Sequence, residues 1–331
     1  MKYKSLGNTD LKVSTISMGC WGISGGVMWG EQDEKEAIAA IKKAHEVGIS
    51  FFDTAEAYGN GYSEKLLGEA LEGFRSEVKI ASKVSGDNLK PSDLKISCEN
   101  SLRRLNTDYL DLYYVHWPNP EIPVEDTIDA LEDLKGEGKI RYYGVSNFGA
   151  NQLENLLQYT DPGVNQLPYS LLWRAIEYEI KPFCEKKDIG IAAYSPLLHG
   201  LLTGKFETPE EVPDGRARTR HFSSKRSKTR HGETGAEEET FRTISRIDSI
   251  CREYGVDMTQ VSLAWPLSQP GVDTVIVGGR SPEHVEENAK AGELELPDAL
   301  FEELEEATAP LKEKLGRNPD MWQGSGNGRI S

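Results

Sequence analysis

Eight short runs rich in β-branched and aromatic residues, most of them followed by a helix-length amphipathic segment, constrain this chain more than any other feature. The runs fall at Thr15–Met18, Ser50–Asp53, Lys79–Lys83, Leu110–Val115, Ile140–Val145, Val164–Leu167, Ile189–Tyr194 and Asp273–Val277. Segments such as Glu34–Val47, Pro91–Leu105 and Val124–Glu137 carry a helical period between them. Strands that alternate with helices pair in parallel, because a parallel neighbour is reached only through a crossover. An open doubly wound sheet would carry a glycine fingerprint after its first strand, and none is present. The expectation is an α/β fold, a (β/α)8 TIM barrel forming one domain over residues 1–331, with long loops at its C-terminal face. A polar stretch from Tyr3 to Val13, with the turn signal Gly7-Asn8-Thr9-Asp10, adds an N-terminal β-hairpin.

Two segments depart from the repeat. Residues 207–239 are long, polar and rich in Arg, Lys, Glu and Gly, as functional lids or disordered loops are. Residues 310–331 show no helical period and are expected to fold over the barrel or fray.

Hydrophobic residues at 37% and charged residues at 28% are ordinary for a soluble protein. The net charge of −16, from 38 Lys plus Arg against 54 Asp plus Glu, repels nucleic acid and anionic membranes, so neither is an expected partner. No apolar run of signal-peptide type follows Met1-Lys2-Tyr3-Lys4-Ser5, and no stretch is long enough to span a bilayer. Cys20, Cys98, Cys184 and Cys251 are scattered without a C-x-x-C pair, which suits free thiols and a cytoplasmic location. His45 and His199 lack ligand-like spacing, so no metal site is expected. The segment Gly200–Phe206 lacks the spacing and hydroxyl of a phosphate-binding Walker loop, and the Gly-x-Ser-x-Gly motif of serine hydrolases is absent.

Four polar residues stand where the second, third and fourth strands end or just beyond: Asp53, Tyr58, Lys83 and His116. The C-terminal mouth of a barrel is where such folds do their chemistry. Each residue alone has a structural reading, as a solvated charge, an ion pair or a turn residue; their joint placement at one mouth points to a site. Reducing a carbonyl by hydride transfer puts negative charge on its oxygen, so the site needs a proton donor and a positive field. Tyr58 is the expected donor. A free tyrosine ionises near ~10, and an adjacent Lys83 ammonium is expected to lower that value. Asp53 would keep Lys83 charged and oriented, and His116, as the neutral tautomer, would hydrogen-bond the carbonyl oxygen.

The run Gly48-Ile49-Ser50-Phe51-Phe52-Asp53-Thr54-Ala55 with Tyr58, the run Gly61-Tyr62-Ser63-Glu64-Lys65-Leu66-Leu67-Gly68, Lys83, and Tyr113-Tyr114-Val115-His116-Trp117 together resemble the aldo-keto reductases, in the branch of bacterial stress reductases and potassium-channel β subunits. The resemblance extends along almost the whole chain. It implies a barrel without a Rossmann domain, Asp53, Tyr58, Lys83 and His116 as the catalytic set, and a nicotinamide dinucleotide, NADPH with NADH as the alternative, lying extended across the C-terminal face. Ser146, Asn147 and Gln166 match the residues that hold the nicotinamide carboxamide, and Tyr194 the aromatic that stacks on its ring. Ser195, Pro196, Leu197, Gly200 and Lys205 match the pyrophosphate side; Gly19, Trp21 and Gly22 match the approach after the first strand. Val277, Gly278, Gly279, Arg280, His284, Glu287 and Asn288 match the adenosine-phosphate end, where Arg280 would meet a 2′-phosphate. Many members carry Lys before this segment and Arg where His284 stands, so this chain keeps one permanent charge there and dual cofactor use stays open.

Trp29, Trp117 and Trp173 are candidate walls of an apolar substrate pocket, or packing residues of the barrel. The basic cluster Arg216, Arg218, Arg220, Lys225, Arg226, Lys228 and Arg230 reads as a solvated loop, a lid over the dinucleotide, or a contact for an anionic substrate. The expected function is NADPH-dependent reduction of a small-molecule carbonyl, an aldehyde, ketone or aldose. The same site run backwards would make a sugar or polyol dehydrogenase, and a redox-sensing regulatory subunit with slow turnover is the alternative from another class. The natural substrate and the oligomeric state are not legible in the sequence.

Overall fold

A parallel sheet leaves unpaired edges unless it closes on itself, and the eight strands expected from the sequence do close. The computed structural model describes residues 1–324 and 326–331. The hairpin strands β1 (Tyr3–Ser5) and β2 (Lys12–Ser14) pair antiparallel. The barrel follows as β3 (Ile16–Gly19), β4 (Phe51–Asp53), β5 (Lys79–Val84), β6 (Leu110–Val115), β7 (Ile140–Ser146), β8 (Val164–Pro168), β9 (Gly190–Tyr194) and β10 (Val272–Gly278), with β10 joining β9 to β3. The strands therefore lie within a residue or two of their expected bounds. Helices α1 (Glu34–Glu46), α2 (Tyr62–Ala70), α3 (Pro91–Leu105), α4 (Val124–Gly136), α5 (Ala150–Leu156), α6 (Ile180–Lys187), α7 (Glu237–Tyr254), α8 (Met258–Leu267), α9 (Pro282–Lys290) and α10 (Asp298–Leu315) surround it.

Side chains alternate between the two faces of a strand, and this alternation fills the barrel. Phe51, Ala81, Leu112, Tyr114, Val164, Ala192 and Ile276 pack together inside, and Leu6, Leu11 and Val13 of the hairpin join them. The hairpin thus plugs the N-terminal mouth. Gly144 makes room for this packing, since a Cβ there would stand 2.7 Å from Val164 Cγ1 and 3.0 Å from Tyr114 Cε1. Two residues beyond Phe51, Ala81, Val164 and Ala192 on the same strands come Asp53, Lys83, Gln166 and Tyr194. The inward rows that are apolar at the closed end become polar at the open one.

The segment 207–239 is less uniformly polar in its setting than in its composition. Val212, Ala217 and Phe222 are buried. Arg220 pairs with Glu233 at 2.8 Å, and Arg226 with Glu237 at 3.3 Å. The tail differs from expectation at its start: α10 continues through Pro310 to Leu315, because Leu311 and Leu315 extend its buried face and that burial outweighs one missing backbone donor. Beyond it, the buried Asp320 carboxylate gathers the chain, accepting from the Trp322 and Gln323 amides and from Arg329 Nε at 2.9 Å. Among the described residues no helix is long and apolar enough to cross a membrane, and all four cysteines are free and buried.

One buried network ties α2 and α3 to the wall beside the mouth. Glu64, fully buried, accepts from Ser82 Oγ on β5 at 2.5 Å and from Arg104 Nε on α3 at 2.6 Å. Removing the cation strands a carboxylate in the interior. Arg104→Met is expected to cost about 3 kcal/mol, the low end for breaking a buried pair because the guanidinium keeps some contact with water. Urea denaturation at neutral pH measures it, and a loss below about 1 kcal/mol would show that water reaches Glu64.

Candidate active site

Lys83 reaches the mouth from inside the β5 wall, with no exposed surface. Its Nζ donates to Asp53 Oδ1 at 2.5 Å, to the Thr54 carbonyl at 2.7 Å and to the Tyr58 hydroxyl at 3.3 Å. An ammonium has three N–H donors, and each here has an acceptor. The other Asp53 oxygen accepts from Gln166 Nε2 at 2.7 Å. Tyr58 lies on the loop after β4, its ring stacked on Trp21 with centroids 5.6 Å apart and set edge-on to His116 at 5.8 Å. The structure brings all four residues together.

The electrostatics correct one expectation. Tyr58 is held well above the ordinary phenol range by burial first, and then by the Asp53 charge; it is not lowered by Lys83. Asp53, in direct contact with Lys83, offsets the ammonium's field, so loss of water wins. The phenol keeps its proton while already hydrogen-bonded to a cation. Burial also pulls the Lys83 ammonium below its usual value, with Asp53 opposing. His116 is held well below the imidazole range by loss of water and by the Lys83 and Arg329 charges, so it is neutral.

These groups open into a cavity of about 860 Å³, a size typical of small-molecule sites. Asp53, Tyr58 and His116 line it; Lys83 sits behind them. Gly19, Trp21, Gly22, Ser146, Asn147, Gln166, Tyr194, Ser195, Pro196, Leu197, Gly200, Lys205, Val277, Gly278, Arg280, His284, Glu287 and Asn288 line it as well. The amides are mutually satisfied: Asn147 Nδ2 donates to the His116 carbonyl at 3.0 Å, and the Tyr194 hydroxyl donates to Asn147 Oδ1 at 2.8 Å. Arg280 is already engaged, its guanidinium bonded to Gln32 Oε1 at 2.5 Å and to the Trp29 and Glu31 carbonyls.

Two residues leave the expected set. Gly279 does not face the cavity; a Cβ there would stand 2.4 Å from Val285 Cγ2, so its small size serves the packing of α9 on the strand end. Trp173 is fully buried away from the mouth, against His221 and the Arg220 guanidinium. Trp29 and Trp117 do line the cavity.

Other lining residues lay outside the sequence reading. Asp257, Thr259 and Gln260 come from the start of α8, where the Asp257 side chain accepts from the Gln260 amide at 3.0 Å; the Asp-x-x-Gln spacing is a helix-start signal that marks the turn. Trp322, Gln323 and Arg329 come from the tail, and His199 from the loop after β9. Arg216, Arg218, Lys228 and Arg230 of the basic cluster face the cavity too, whereas Arg220 and Arg226 do not.

Residues 15–309 match the Aldo/keto reductase family. The chain belongs to this family. It is 36% identical over 299 residues to aldo-keto reductase YhdN of Bacillus subtilis (strain 168), covering 86% of this chain and 87% of that one. It is 34% identical over 336 residues to the NADH-specific methylglyoxal reductase of Escherichia coli (strain K12), covering 93% and 99%. Among solved structures, an aldo-keto reductase from Klebsiella pneumoniae in complex with NADPH matches with a TM-score of 0.73 at 30% identity, over 92% of this chain and 95% of that one. As an aldo/keto reductase, the chain is an oxidoreductase.

The charges around His116 are open to measurement. A pKa far below the ordinary value means that the proton is lost before neutrality, so the His116 ring resonances should stay flat between about pH 6 and 8. Lys83→Met removes one repelling charge and should move the titration upward. A midpoint near the ordinary imidazole value in the unaltered protein would contradict the geometry.

Proposed function

We propose that this aldo/keto reductase reduces aldehydes and ketones, aldoses among them, to alcohols, with NADPH as reductant and Tyr58 as proton donor. The observation that carries the reading is the Lys83–Tyr58 hydrogen bond at 3.3 Å, made at the wall of a cavity of about 860 Å³.

The donor set fits an anionic dinucleotide. Lys205, Arg216 and Arg280 line the cavity, and among the described residues none has a carboxylate partner. Loss of water at the cavity wall, with Arg216 and Arg280 close by, pushes the Lys205 ammonium down to about 8. Cations brought together without counter-charges favour a ligand that supplies them. Gly200, at φ 92, lies where a Cβ would meet Lys205 Nζ at 2.4 Å and Arg216 Nη1 at 3.6 Å, so glycine leaves the loop open beside both charges. The helix α9, capped by Ser281, adds its N-terminal end. Ser146, Asn147, Gln166 and Tyr194 would hold the nicotinamide end, Ser195 to Lys205 the pyrophosphate, and Arg280 to Asn288 the adenosine end.

When bound, the nicotinamide supplies a hydride. The chain's own residues do the rest. Neutral His116 donates a hydrogen bond that orients the carbonyl, and Tyr58 gives its proton to the oxygen as charge develops there. The Lys83 bond to the phenol oxygen strengthens as that oxygen becomes anionic, which is differential stabilisation of the transition state. Asp53 holds the ammonium in place. NADH use is the second reading, favoured by the bonds that already occupy Arg280 and by the NADH-specific relative.

Two measurements test this. Tyr58→Phe is expected to lower turnover on aldehydes by about 10²-fold or more while NADPH affinity, read by fluorescence, is kept; near-normal turnover would remove Tyr58 as donor. Above about pH 8 Lys205 is losing its charge in the free protein, whereas a bound phosphate favours the charged form. Binding therefore takes up a proton there, and NADPH affinity should fall as pH rises from neutrality. Lys205→Met should flatten that profile; an unchanged slope would take Lys205 out of the phosphate site.

A further inference from the structure

The positive charge at the cavity falls into two groups. Lys205 and Arg216 meet beside Gly200, with Arg280 near enough to weigh on both, and the reading above gives them to the dinucleotide. Arg218 is instead coupled to Arg230, and it reaches the aromatic cluster next to Tyr58 through Trp322, as Arg216 reaches it through Trp29. The Arg218 guanidinium lies over the Trp322 ring, Cζ 5.5 Å from the centroid. Trp322 is in edge contact with Trp21 at 6.5 Å, and Trp21 stacks on Tyr58. Among the described residues, the one hydrogen-bond-range partner of the Arg218 guanidinium is the Met28 thioether, Nη1 to Sδ 3.8 Å. Among the described residues no carboxylate pairs with it, and the charge nearest in effect is another cation, Arg230. A half-desolvated guanidinium facing a second one is costly unless an anion joins them.

A second orphan lies beside it. His199 is more than nine-tenths buried, lines the cavity, and stacks on Trp322 with centroids 5.3 Å apart. Among the described residues neither ring nitrogen has a hydrogen-bond partner; the Arg216 main chain is near without a well-formed bond. Its backbone is left-handed at φ 56, which a non-glycine residue adopts at a cost. Burial keeps the imidazole neutral, pushed down to about 3, so one nitrogen donates and the other accepts. An unpartnered imidazole and an unpaired guanidinium thus both lie against Trp322 in the cavity wall.

The geometry points to an anion subsite made by Arg218, His199 and the Trp322 shelf, with Arg230 behind it. The carbonyl compounds reduced at Tyr58 then carry an oxyanion, a carboxylate or a phosphate, on the end away from the reacting carbon. This rests on the reductase reading above. A guanidinium fork suits either anion. The cavity's cations attract such a substrate into a protein whose net charge of −16 would otherwise repel it.

The test compares kcat/KM, at saturating NADPH, for butanal against succinic semialdehyde and for glyceraldehyde against glyceraldehyde 3-phosphate. The charged member of at least one pair should be favoured about tenfold or more, through KM, the size of one charge-assisted hydrogen bond. Preference confined to one pair names the oxyanion. Arg218→Met should abolish the preference, Arg218→Lys should restore part of it, and Arg230→Ala should reduce it. Equal kcat/KM within both pairs, or a preference that survives Arg218→Met, overturns the subsite. Loss of NADPH affinity in Arg218→Met with the preference intact gives the guanidinium to the dinucleotide and overturns it too. No turnover on any of the four aldehydes is a separate result, in which the reductase reading fails and the subsite with it.

Discussion

A lysine ammonium with no exposed surface is the constraint around which the mouth of this barrel is arranged. Removing such a charge from water costs several kcal/mol unless every donor is met. Here Asp53, the Thr54 carbonyl and Tyr58 meet all three. Those acceptors converge only because β4 and β5 pair with Asp53 opposite Ala81, which leaves Lys83 one inward step higher. The apolar plug below and the Glu64 network beside it hold that register. The same arrangement explains why Tyr58 retains its proton at rest, through burial; in the proposed mechanism the ammonium acts once negative charge appears on the phenol oxygen.

The strands were legible because period-two burial leaves its mark in each run, and the four residues at the mouth because their chemical types have few bland reasons to coincide. The level of the Tyr58 pKa was not legible, since it depends on whether burial or a neutralised neighbour prevails, and only packing decides that. Trp173 and Trp117 look alike in sequence; one is sealed behind His221 and the other faces the cavity beneath Arg329. Gly279 matched a binding pattern but answers to Val285. Glu64 and Gly68 fall in a recognised run, yet their reason appears only where α2 meets α3: Glu64 binds Arg104, and a Cβ on Gly68 would come within 2.6 Å of the Leu105 carbonyl oxygen.

The basic segment shows the same limit at finer grain. Arg216, Arg218 and Arg220 are spaced two apart, but the first two face the cavity while Arg220 is drawn to Glu233 and to the Asn318 and Leu315 carbonyls. His221 is held by Thr219 Oγ1 and the Leu172 carbonyl. Composition marks the whole stretch as charged; tertiary partners divide it into anchors that fix the loop and side chains left facing the cavity. His199 had no sequence signal at all, because its distinction is the absence of a partner.

Arg280 grips the loop that carries Trp29 through the Trp29 and Glu31 carbonyls and Gln32. That loop supplies Trp29, an aromatic wall of the cavity, so the guanidinium proposed to meet the adenosine end also fixes where this wall stands. On the proposed coenzyme assignment, one guanidinium is a tie-rod between coenzyme choice and the shape of the cavity. If Arg280 reads the coenzyme as proposed, replacing it would also release the loop that carries Trp29, so coenzyme choice and the shape of the cavity would change together.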